Sequence, residues 1–254
     1  MRRAFILNLD TAADRWKAIA ERFARTKIEA VRVPAINGAA LTLPIPEFDE
    51  RRFHLLHGRA TNPREIGCYL SHVVAMRAFL ETYDAHGLIC EDDIVPGADF
   101  EKVIASALGH ARHWNVLRVT GLGEGTPLRI RRLCSGAHLC ISLGRVKGAG
   151  AYVVDRAAAR AFVAGLLPMW LPFDHAVDRE WWFGLRAAYV LPFPCSQTEA
   201  GFRSSIQTGK TGKTKSHRRW LTTYPYQAAN EITRWLCRGA SYARAQLAPR
   251  SPSA

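Results

Sequence analysis

Three consecutive carboxylates, Glu91, Asp92 and Asp93, follow a short apolar segment in the stretch GLICEDDIVPG. The apolar residues predict a buried strand that ends at Glu91. Because side chains of an extended strand alternate between its faces, Glu91 and Asp93 are expected on one side and Asp92 on the other. Two carboxylates on one side suit Mg²⁺ or Mn²⁺, which leave room for substrate phosphates. A solvated acidic turn is the alternative.

A second polar group, Asp174, His175 and Asp178, lies at the start of a predicted helix. Its two carboxylates and imidazole could supply a general base or a late metal ligand. The alternative is that Asp174 simply caps the helix, since aspartate is favoured at that position. The residues alone leave both interpretations open.

The segment EIGCYLSH, residues 65–72, places Ser71 beside His72 and so suggests a nucleophile with its base. Neighbouring residues on a helix project about 100° apart, so these two side chains do not face each other. The segment also lacks the G-x-S-x-G elbow of a serine hydrolase. Capping and packing would explain it without a function.

Two glycine-containing stretches resemble phosphate-binding loops only in part. Residues 204–211, SSIQTGKT, approach a P-loop but have serine where its first glycine belongs. Residues 148–152, GAGAY, lead into a strand and not a helix, so they do not support a Rossmann dinucleotide site. This second stretch could let the backbone approach a ligand closely, or could simply turn the chain.

Hydrophobic periodicity predicts alternating strands and helices along most of the chain. The order indicates an α/β fold with a mainly parallel central sheet flanked by helices, in which ligands bind at the carboxyl ends of the strands. A helix is expected to begin at Asn62 as N-cap with Pro63 at the first position, and 37–61 are expected to be irregular. Strands are expected at 4–9, 30–36, 86–91, 115–120, 139–143, 151–154 and 187–191, and helices at 12–27, 62–80, 100–110, 155–167, 174–184 and 226–247.

The 254 residues are 48% hydrophobic and carry a formal net charge of +13. That content is enough for a substantial core. The charge is uneven, because the residues after 207 contain nine Lys and Arg and a single acid. We therefore predict a folded domain at 1–207 and a basic, partly helical or flexible tail at 208–254.

The tail suggests anionic lipid, nucleic acid or a phosphorylated partner, and a merely solubilising role is the alternative. Trp220, Tyr224, Tyr226 and Trp235 interleave with its charge and could lie at a membrane interface. Six cysteines without a C-x-x-C pair indicate free thiols in a reducing compartment. The N-terminal apolar stretch is too short for a signal peptide, and no apolar run of 18 residues occurs. We expect a cytoplasmic protein.

Taken in order, several of these segments resemble glycosyltransferase family 25, the lipopolysaccharide core galactosyltransferase-like proteins related to collagen galactosyltransferases. The resemblance covers residues 4 to about 207, and its most specific part is EIGCYLSH about twenty residues before EDD. The matching pieces are Ile6-Leu7-Asn8-Leu9, Asp14-Arg15-Trp16, 65–72, 91–93, 148–152, Asp174-His175, Gln197 and 204–206.

The resemblance implies a GT-A-like nucleotide-sugar-binding fold, a UDP-sugar donor that is most often UDP-galactose, and inversion at the anomeric carbon. Glu91 and Asp93 then correspond to the D-x-D-type metal motif, with His175 as a third ligand of Mn²⁺ or Mg²⁺. Asp174, which we favour, or Asp92 would be the base. The residues implied in donor binding are Asn8, Leu9, Asp14, Arg15, Ser71 and His72.

Our leading hypothesis is an inverting, metal-dependent hexosyltransferase that moves a hexose, with galactose expected, to a lipid-linked glycan such as lipopolysaccharide core. Its partners would be a UDP-sugar, a glycan or glycolipid acceptor and, through the tail, the anionic inner face of the inner membrane. No nucleic acid is expected. The alternative is a basic nucleic-acid- or membrane-binding protein on a degenerate, non-catalytic transferase fold. Acceptor, linkage and oligomeric state stay open.

Overall fold

The computed structural model describes residues 1–197 and 217–248, so the 204–206 motif and the P-loop-like 204–211 stretch lie outside the described residues. Strands and helices alternate through the first half of the chain. The strands are β1 Arg3–Asn8, β2 Glu29–Pro34, β3 His86–Glu91, β4 Ile94–Pro96, β5 Val116–Arg118, β6 Pro127–Arg132, β7 His138–Ser142, β8 Ala151–Asp155, β9 Ala187–Leu191 and β10 Cys195–Gln197. The α-helices are α1 Ala13–Phe23, α2 Glu50–Leu56, α3 Pro63–Leu80, α4 Phe100–Leu108, α5 Arg156–Gly165, α6 Phe173–Val177 and α7 Thr223–Leu247. Short 3₁₀ helices lie at Gly38–Ala40, Ala111–His113, Glu180–Phe183 and His217–Trp220.

Eight strands form one central sheet in the order β2-β1-β3-β8-β5-β9-β7-β6. β2, β1 and β3 pair in parallel, as do β5 and β9, whereas β7 and β8 run against their neighbours. Six strands therefore point the same way in a mixed sheet. Helices cover both faces, which confirms the predicted α/β class and is consistent with a GT-A-like fold.

The central strands are apolar on both faces because each face is covered. In β1, Phe5 and Leu7 pack into the core beneath α3 and α5, whereas Ala4 and Ile6 pack into the core beneath α1 and α4. Such near-continuous burial is typical of strands in the middle of an α/β sheet. The sheet thereby fixes the strand ends, where polar residues collect.

Helix α3 begins as the sequence predicts. The side chain of Asn62 accepts a hydrogen bond from the backbone N–H of Arg64, and Pro63 is the first helical residue. Farther along, Gly67 lies so close to the 3₁₀ turn that a Cβ there would be 2.5 Å from the backbone nitrogen of Gly38. The close crossing fixes the loop after β2 against α3.

Replacing Gly67 by Ala is therefore expected to destabilise the protein by about 1–3 kcal/mol, because neither backbone can yield to the added methyl group. Gly239→Ala is the matched control, since that helical glycine has open space around it. Alanine loses less backbone conformational freedom on folding than glycine does, so the control should be stabilised by about 0.5–1 kcal/mol. Urea unfolding of both variants measures the two effects, and equal free energies of unfolding would contradict the crossing.

Several parts of the chain differ from the pattern expected from sequence, and no strand was expected at β4, β6 or β10. The stretch 37–61 contains α2, whose N-cap Asp49 accepts a hydrogen bond from the backbone N–H of Arg52. The single helix expected at 174–184 is divided, since α6 ends at Val177 and a 3₁₀ turn follows. The chain turns there because the side chain of Asp178 is fully buried and pairs with arginines of α7.

Helix α7 packs on the rest of the molecule through charged side chains. Arg234 and Arg238 are each 1% exposed. Arg238 Nη2 lies 3.0 Å from Asp178 Oδ1 and 2.8 Å from Glu180 Oε2, and Arg234 Nη2 lies 3.0 Å from Asp178 Oδ2. Two of the nine basic residues counted in the tail are thus unavailable to an outside anion. The division at 207 stays a prediction.

Candidate active site

A cleft of about 460 Å³ opens at the carboxyl ends of β1, β2 and β3, which are parallel neighbours. This is the edge of an α/β sheet at which ligands are expected to bind. One wall is formed by α3 and the loop after β2, and the other by the start of α1. The cleft is lined by Leu7, Leu9, Arg15, Ala35, Ile36, Asn37, Gly38, Ala39, Arg64, Cys68, Ser71, Glu91 and Asp92.

Asp92 lies in the turn after β3 and is held by two side chains. Asn8 Nδ2 donates to Asp92 Oδ2 at 2.7 Å, and the guanidinium of Arg15 donates to Asp92 Oδ1. Burial raises the pKa of Asp92, although Asn8 and Arg15 act in the opposite direction. Asn8 also donates to the carbonyl of Ala12 at 3.0 Å and accepts from Arg32 Nε at 2.9 Å. Asn8 therefore positions Asp92, which in turn positions Arg15.

Glu91 and Asp93 form a pair of carboxylates that repel each other. Burial, and then the negative charge of Glu91, raise the pKa of Asp93 to about 6. Gln197 donates a hydrogen bond to Asp93 from β10, which pairs with β4. A bound divalent cation would relieve the repulsion, so the pair fits a metal site.

His72 and Cys68 bring two further potential ligands to Glu91. One ligand atom from each of the three lies within 4.8 Å of the others. The ring of His72 stacks on Phe173 at 3.9 Å, its Nδ1 lies 3.1 Å from the hydroxyl of Tyr152, and its Nε2 lies 3.8 Å from Glu91 Oε1. Burial raises the pKa of the Cys68 thiol well above its usual range. A neutral thiol is a poor ligand for a hard cation, which leaves His72 and Glu91.

Ser71 and Asp14, two residues implied in donor binding, differ in their contacts. Ser71 Oγ donates to the carbonyl of Gly67 at 2.7 Å and accepts from the backbone N–H of Ile36 at 2.8 Å. It therefore ties the cleft loop to α3. Asp14 is exposed in the first turn of α1, where a carboxylate interacts favourably with the helix dipole.

Asp174 lies in the first turn of α6, so Pro172 and not Asp174 is the N-cap. Its Oδ2 accepts a hydrogen bond from the backbone N–H of Gly148 at 3.3 Å. Burial alone would raise the pKa of Asp174, but His175, Arg118 and the Gly148 N–H together lower it below its usual value. Asp174 is therefore ionised at neutral pH, as a base must be.

His175 contacts cationic and aromatic groups. Both of its ring nitrogens lie near Arg145 Nη1, at 3.1 and 3.0 Å, and its ring meets that of His57 edge-on at 5.2 Å. Burial lowers the pKa of His175. A guanidinium beside the ring disfavours a second cation there, so the structure groups His175 with Arg145 and not with the 91–93 pair.

Two residues near the site, Glu65 and Arg118, were not expected there from the sequence. Burial, and then the charge of Asp174, raise the pKa of Glu65 to about 7. Four carboxylates, which we call the acidic cluster, act electrostatically on Cys68: Glu65, Glu91, Asp93 and Asp174. The buried Arg118 of β5 donates to the carbonyls of Gly148 and Asp174 and so joins the 148–152 stretch to α6. An arginine inside the apolar segment NVLRVT was the signal, since a buried charge needs a partner.

The raised pKa of Glu65 predicts a loss of stability with rising pH. A carboxyl with a folded pKa of about 7 and an ordinary value of 4.5 contributes stability that is complete below pH 4.5 and is lost as the pH rises through 7. The wild type should therefore lose about 1–3 kcal/mol relative to Glu65→Gln between pH 5 and pH 8. Urea unfolding at each pH measures the difference. Glu21→Gln, on the exposed side of α1, should follow the wild-type profile; parallel profiles for all three proteins would contradict the assignment.

A family model matches the N-terminal part of the chain. The model described as "Glycosyltransferase family 25 (LPS biosynthesis protein)" matches residues 1–125, which contain the EIGCYLSH segment, the EDD triplet and the cleft between them. These residues are similar to glycosyltransferase family 25. A comparison with curated proteins finds no match. Asp174, His175 and the 148–152 loop lie beyond the matched residues.

Proposed function

We propose that this glycosyltransferase is an inverting, metal-dependent enzyme that transfers a hexose from a UDP-sugar to a lipid-linked glycan such as lipopolysaccharide core. Galactose is the expected sugar. One observation carries the proposal: the acidic cluster meets the cleft at the carboxyl end of β3, so that a donor in the cleft would place its diphosphate beside Glu91.

The cleft suits a nucleoside diphosphate sugar. Leu7, Leu9 and Ile36 offer apolar surface for a base and ribose, and Arg15 and Arg64 offer cations for phosphates. Asn8 and Ser71 keep the roles of orienting Asp92 and the cleft loop. Asp14 is left as an exposed residue at the entrance to α1.

Glu91 and Asp93 would hold the divalent cation, with His72 taking the place first given to His175. His72 Nε2 is already directed at Glu91, whereas the ring of His175 lies against Arg145. When bound, Mn²⁺ or Mg²⁺ would neutralise charge on the two phosphates of the leaving UDP. Gln197 and the Tyr152 hydroxyl orient Asp93 and His72, as outer partners of metal ligands commonly do.

Asp174 is the proposed base. Its carboxylate would take the proton of the acceptor hydroxyl while that oxygen attacks the anomeric carbon, and the bond to the phosphate would break with its electron pair leaving on UDP. Asp92 is less suited to this role, since each of its oxygens already accepts a hydrogen bond. We assign Asp92 to positioning Arg15.

The lipid-linked acceptor and the basic net charge favour a cytoplasmic enzyme that acts at the inner face of the inner membrane. Among residues 1–197 and 217–248, no helix has the length and apolar content needed to cross a bilayer. Contact with the membrane would therefore be peripheral for this part of the chain. The anionic lipid surface would attract a protein of net charge +13.

The test measures UDP release and sugar transfer from UDP-galactose, UDP-glucose and UDP-N-acetylglucosamine, using truncated core oligosaccharide as acceptor with Mn²⁺ or with EDTA. Transfer should require acceptor and metal, and proton NMR of the first product should show an inverted anomeric centre. Asp174→Asn should lower transfer at least 100-fold with little change in donor affinity.

Three results would contradict parts of the proposal separately. Full activity in EDTA would contradict the proposed metal dependence. A retained anomeric configuration would contradict the role of Asp174 as base in an inverting transfer. Donor binding without turnover would favour a non-catalytic binding protein. Asp178→Asn is unsuitable as a control because it disturbs a buried ion pair. Asp49→Asn, at the N-cap of α2, is the better matched change.

A further inference from the structure

Helix α7 carries its charged residues on the inside and its apolar residues on the outside. Arg234 and Arg238 are buried, whereas Ile232, Trp235 and Leu236 are 63, 61 and 69% exposed. A helix on the surface of a globular protein ordinarily has the reverse arrangement. Exposing these apolar side chains to water does not stabilise the isolated chain, so a partner that covers them is expected.

The exposed apolar residues form one continuous surface. At 3.6 residues per turn they share the side of α7 that is opposite Arg234 and Arg238, along a helix about 37 Å long. Every one of them is exposed, and none is charged. This outer face of α7 consists of Pro225, Ala228, Ala229, Ile232, Trp235, Leu236, Ala240, Ala243 and Leu247.

The inner face of α7 cannot exchange places with the outer face. Arg238 donates to Glu180, to Asp178 and to the carbonyl of Ser142, so turning the helix would break an interlocked set of buried hydrogen bonds. Breaking a buried pair leaves an uncompensated charge, which is strongly unfavourable. The fold therefore holds the outer face towards its surroundings.

We propose that the outer face of α7 docks on the surface of a lipid bilayer that contains anionic headgroups. The helix would lie in the plane of the interface with its apolar side at the boundary of headgroups and acyl chains, as interfacial helices do. The proposal rests on the proposed function only in its choice of a lipid-linked acceptor, which a bilayer would present to the enzyme.

Charge favours a bilayer over a second copy of the chain as the occupant. Two copies would each carry a net charge of +13 and repel each other, whereas an anionic surface attracts that charge. The outer face itself adds no negative charge, and the single acid of α7, Glu231, pairs with Arg234. The chain therefore meets an anionic surface with an uncharged apolar face on a cationic body.

Aromatic residues at the start of α7 point to the same occupant. Trp220 and Leu221 are 72 and 83% exposed just before the helix, and Tyr224 is 39% exposed in its first turn. Tryptophan and tyrosine favour the interface between water and lipid, because their rings are apolar with one polar group. Tyr226, in contrast, packs against Trp170 and Arg179 and faces inward.

The test is flotation of the full chain with vesicles of phosphatidylcholine alone and of phosphatidylcholine with 30% phosphatidylglycerol. The wild type should float with the anionic vesicles and bind the neutral ones at least 10-fold more weakly. The double variant Trp235→Gln/Leu236→Gln should lower binding to anionic vesicles at least 10-fold. Tyr83→Gln removes a fully exposed aromatic residue elsewhere and is the control that should bind like the wild type.

Thermal unfolding of the double variant should match that of the wild type, since both replaced side chains are exposed. Equal flotation of wild type and double variant would overturn the proposal, as would absence of wild-type flotation. A dimer in sedimentation equilibrium that the double variant abolishes would overturn it too, by showing that a second copy covers the face. Flotation needs neither donor nor acceptor, so an inactive protein that still floats would refute the proposed function and keep the docking surface.

Discussion

Replacing Glu91 by Gln is expected to lower the rate of sugar transfer about 100- to 1,000-fold while leaving the fold intact. The side chain of Glu91 is 27% exposed, so the loss follows from its charge and not from packing. Burial and the charge of Glu91 together raise the pKa of Asp93. Because the same change removes that charge, the pKa of Asp93 should fall towards its ordinary value. Steady-state kinetics measure the first effect, and a carbon-13 NMR titration of the aspartate carboxyls measures the second.

Asp99→Asn is the matched control for Glu91→Gln. Asp99 is an acid six residues after Asp93, its side chain is 47% exposed, and it pairs at the surface with Lys102. Its replacement should change transfer less than twofold. If Glu91→Gln transferred sugar at the wild-type rate and did not change the pKa of Asp93, Glu91 and Asp93 would not form a functional pair.

Replacing Arg238 by Met is expected to lower the free energy of unfolding by about 3–5 kcal/mol, because it leaves Asp178 and Glu180 buried with less compensating charge. Methionine keeps much of the volume of arginine, so the effect reports the ion pairs and not a cavity. The free energy of unfolding of Arg238→Lys should lie between those of the wild type and Arg238→Met, since an ammonium cannot form the same set of hydrogen bonds. Urea unfolding of the full chain measures all three proteins.

Arg244→Met is the control on the same helix. Arg244 is exposed on the flank of α7, so its replacement should change the free energy of unfolding by less than about 0.5 kcal/mol. Equal effects at Arg238 and Arg244 would mean that the buried network does not hold α7 in place. The orientation of the outer face would then lose its physical basis.

Local signals in the sequence were sufficient for several elements. The strands His86–Glu91 and Ala187–Leu191 have the bounds expected from their apolar runs, and α3 begins at the predicted cap. These features depend on neighbouring residues, through burial of a short apolar run or a side chain that satisfies free N–H groups. The α/β class followed from their order.

Contacts between distant segments could not be predicted in the same way. His72 meets Glu91 only because α3 packs beside β3, and Gln197 reaches Asp93 only because β10 pairs with β4. Spacing along the chain carries no information on such pairs. For the same reason the sequence suggested His175 as a ligand, whereas the fold places its ring against Arg145.

By itself the sequence determined the α/β class, the carboxylates at the end of β3 and the resemblance to family 25, because each depends on residue types at short spacing. Only the tertiary structure decided that Asp92 is held by Asn8 and Arg15 while Glu91 and Asp93 remain as a mutually repelling pair. It likewise decided which side of α7 faces inward. Buried charges must find partners wherever the fold brings them, and Asp178 and Glu180 lie far from α7 along the chain.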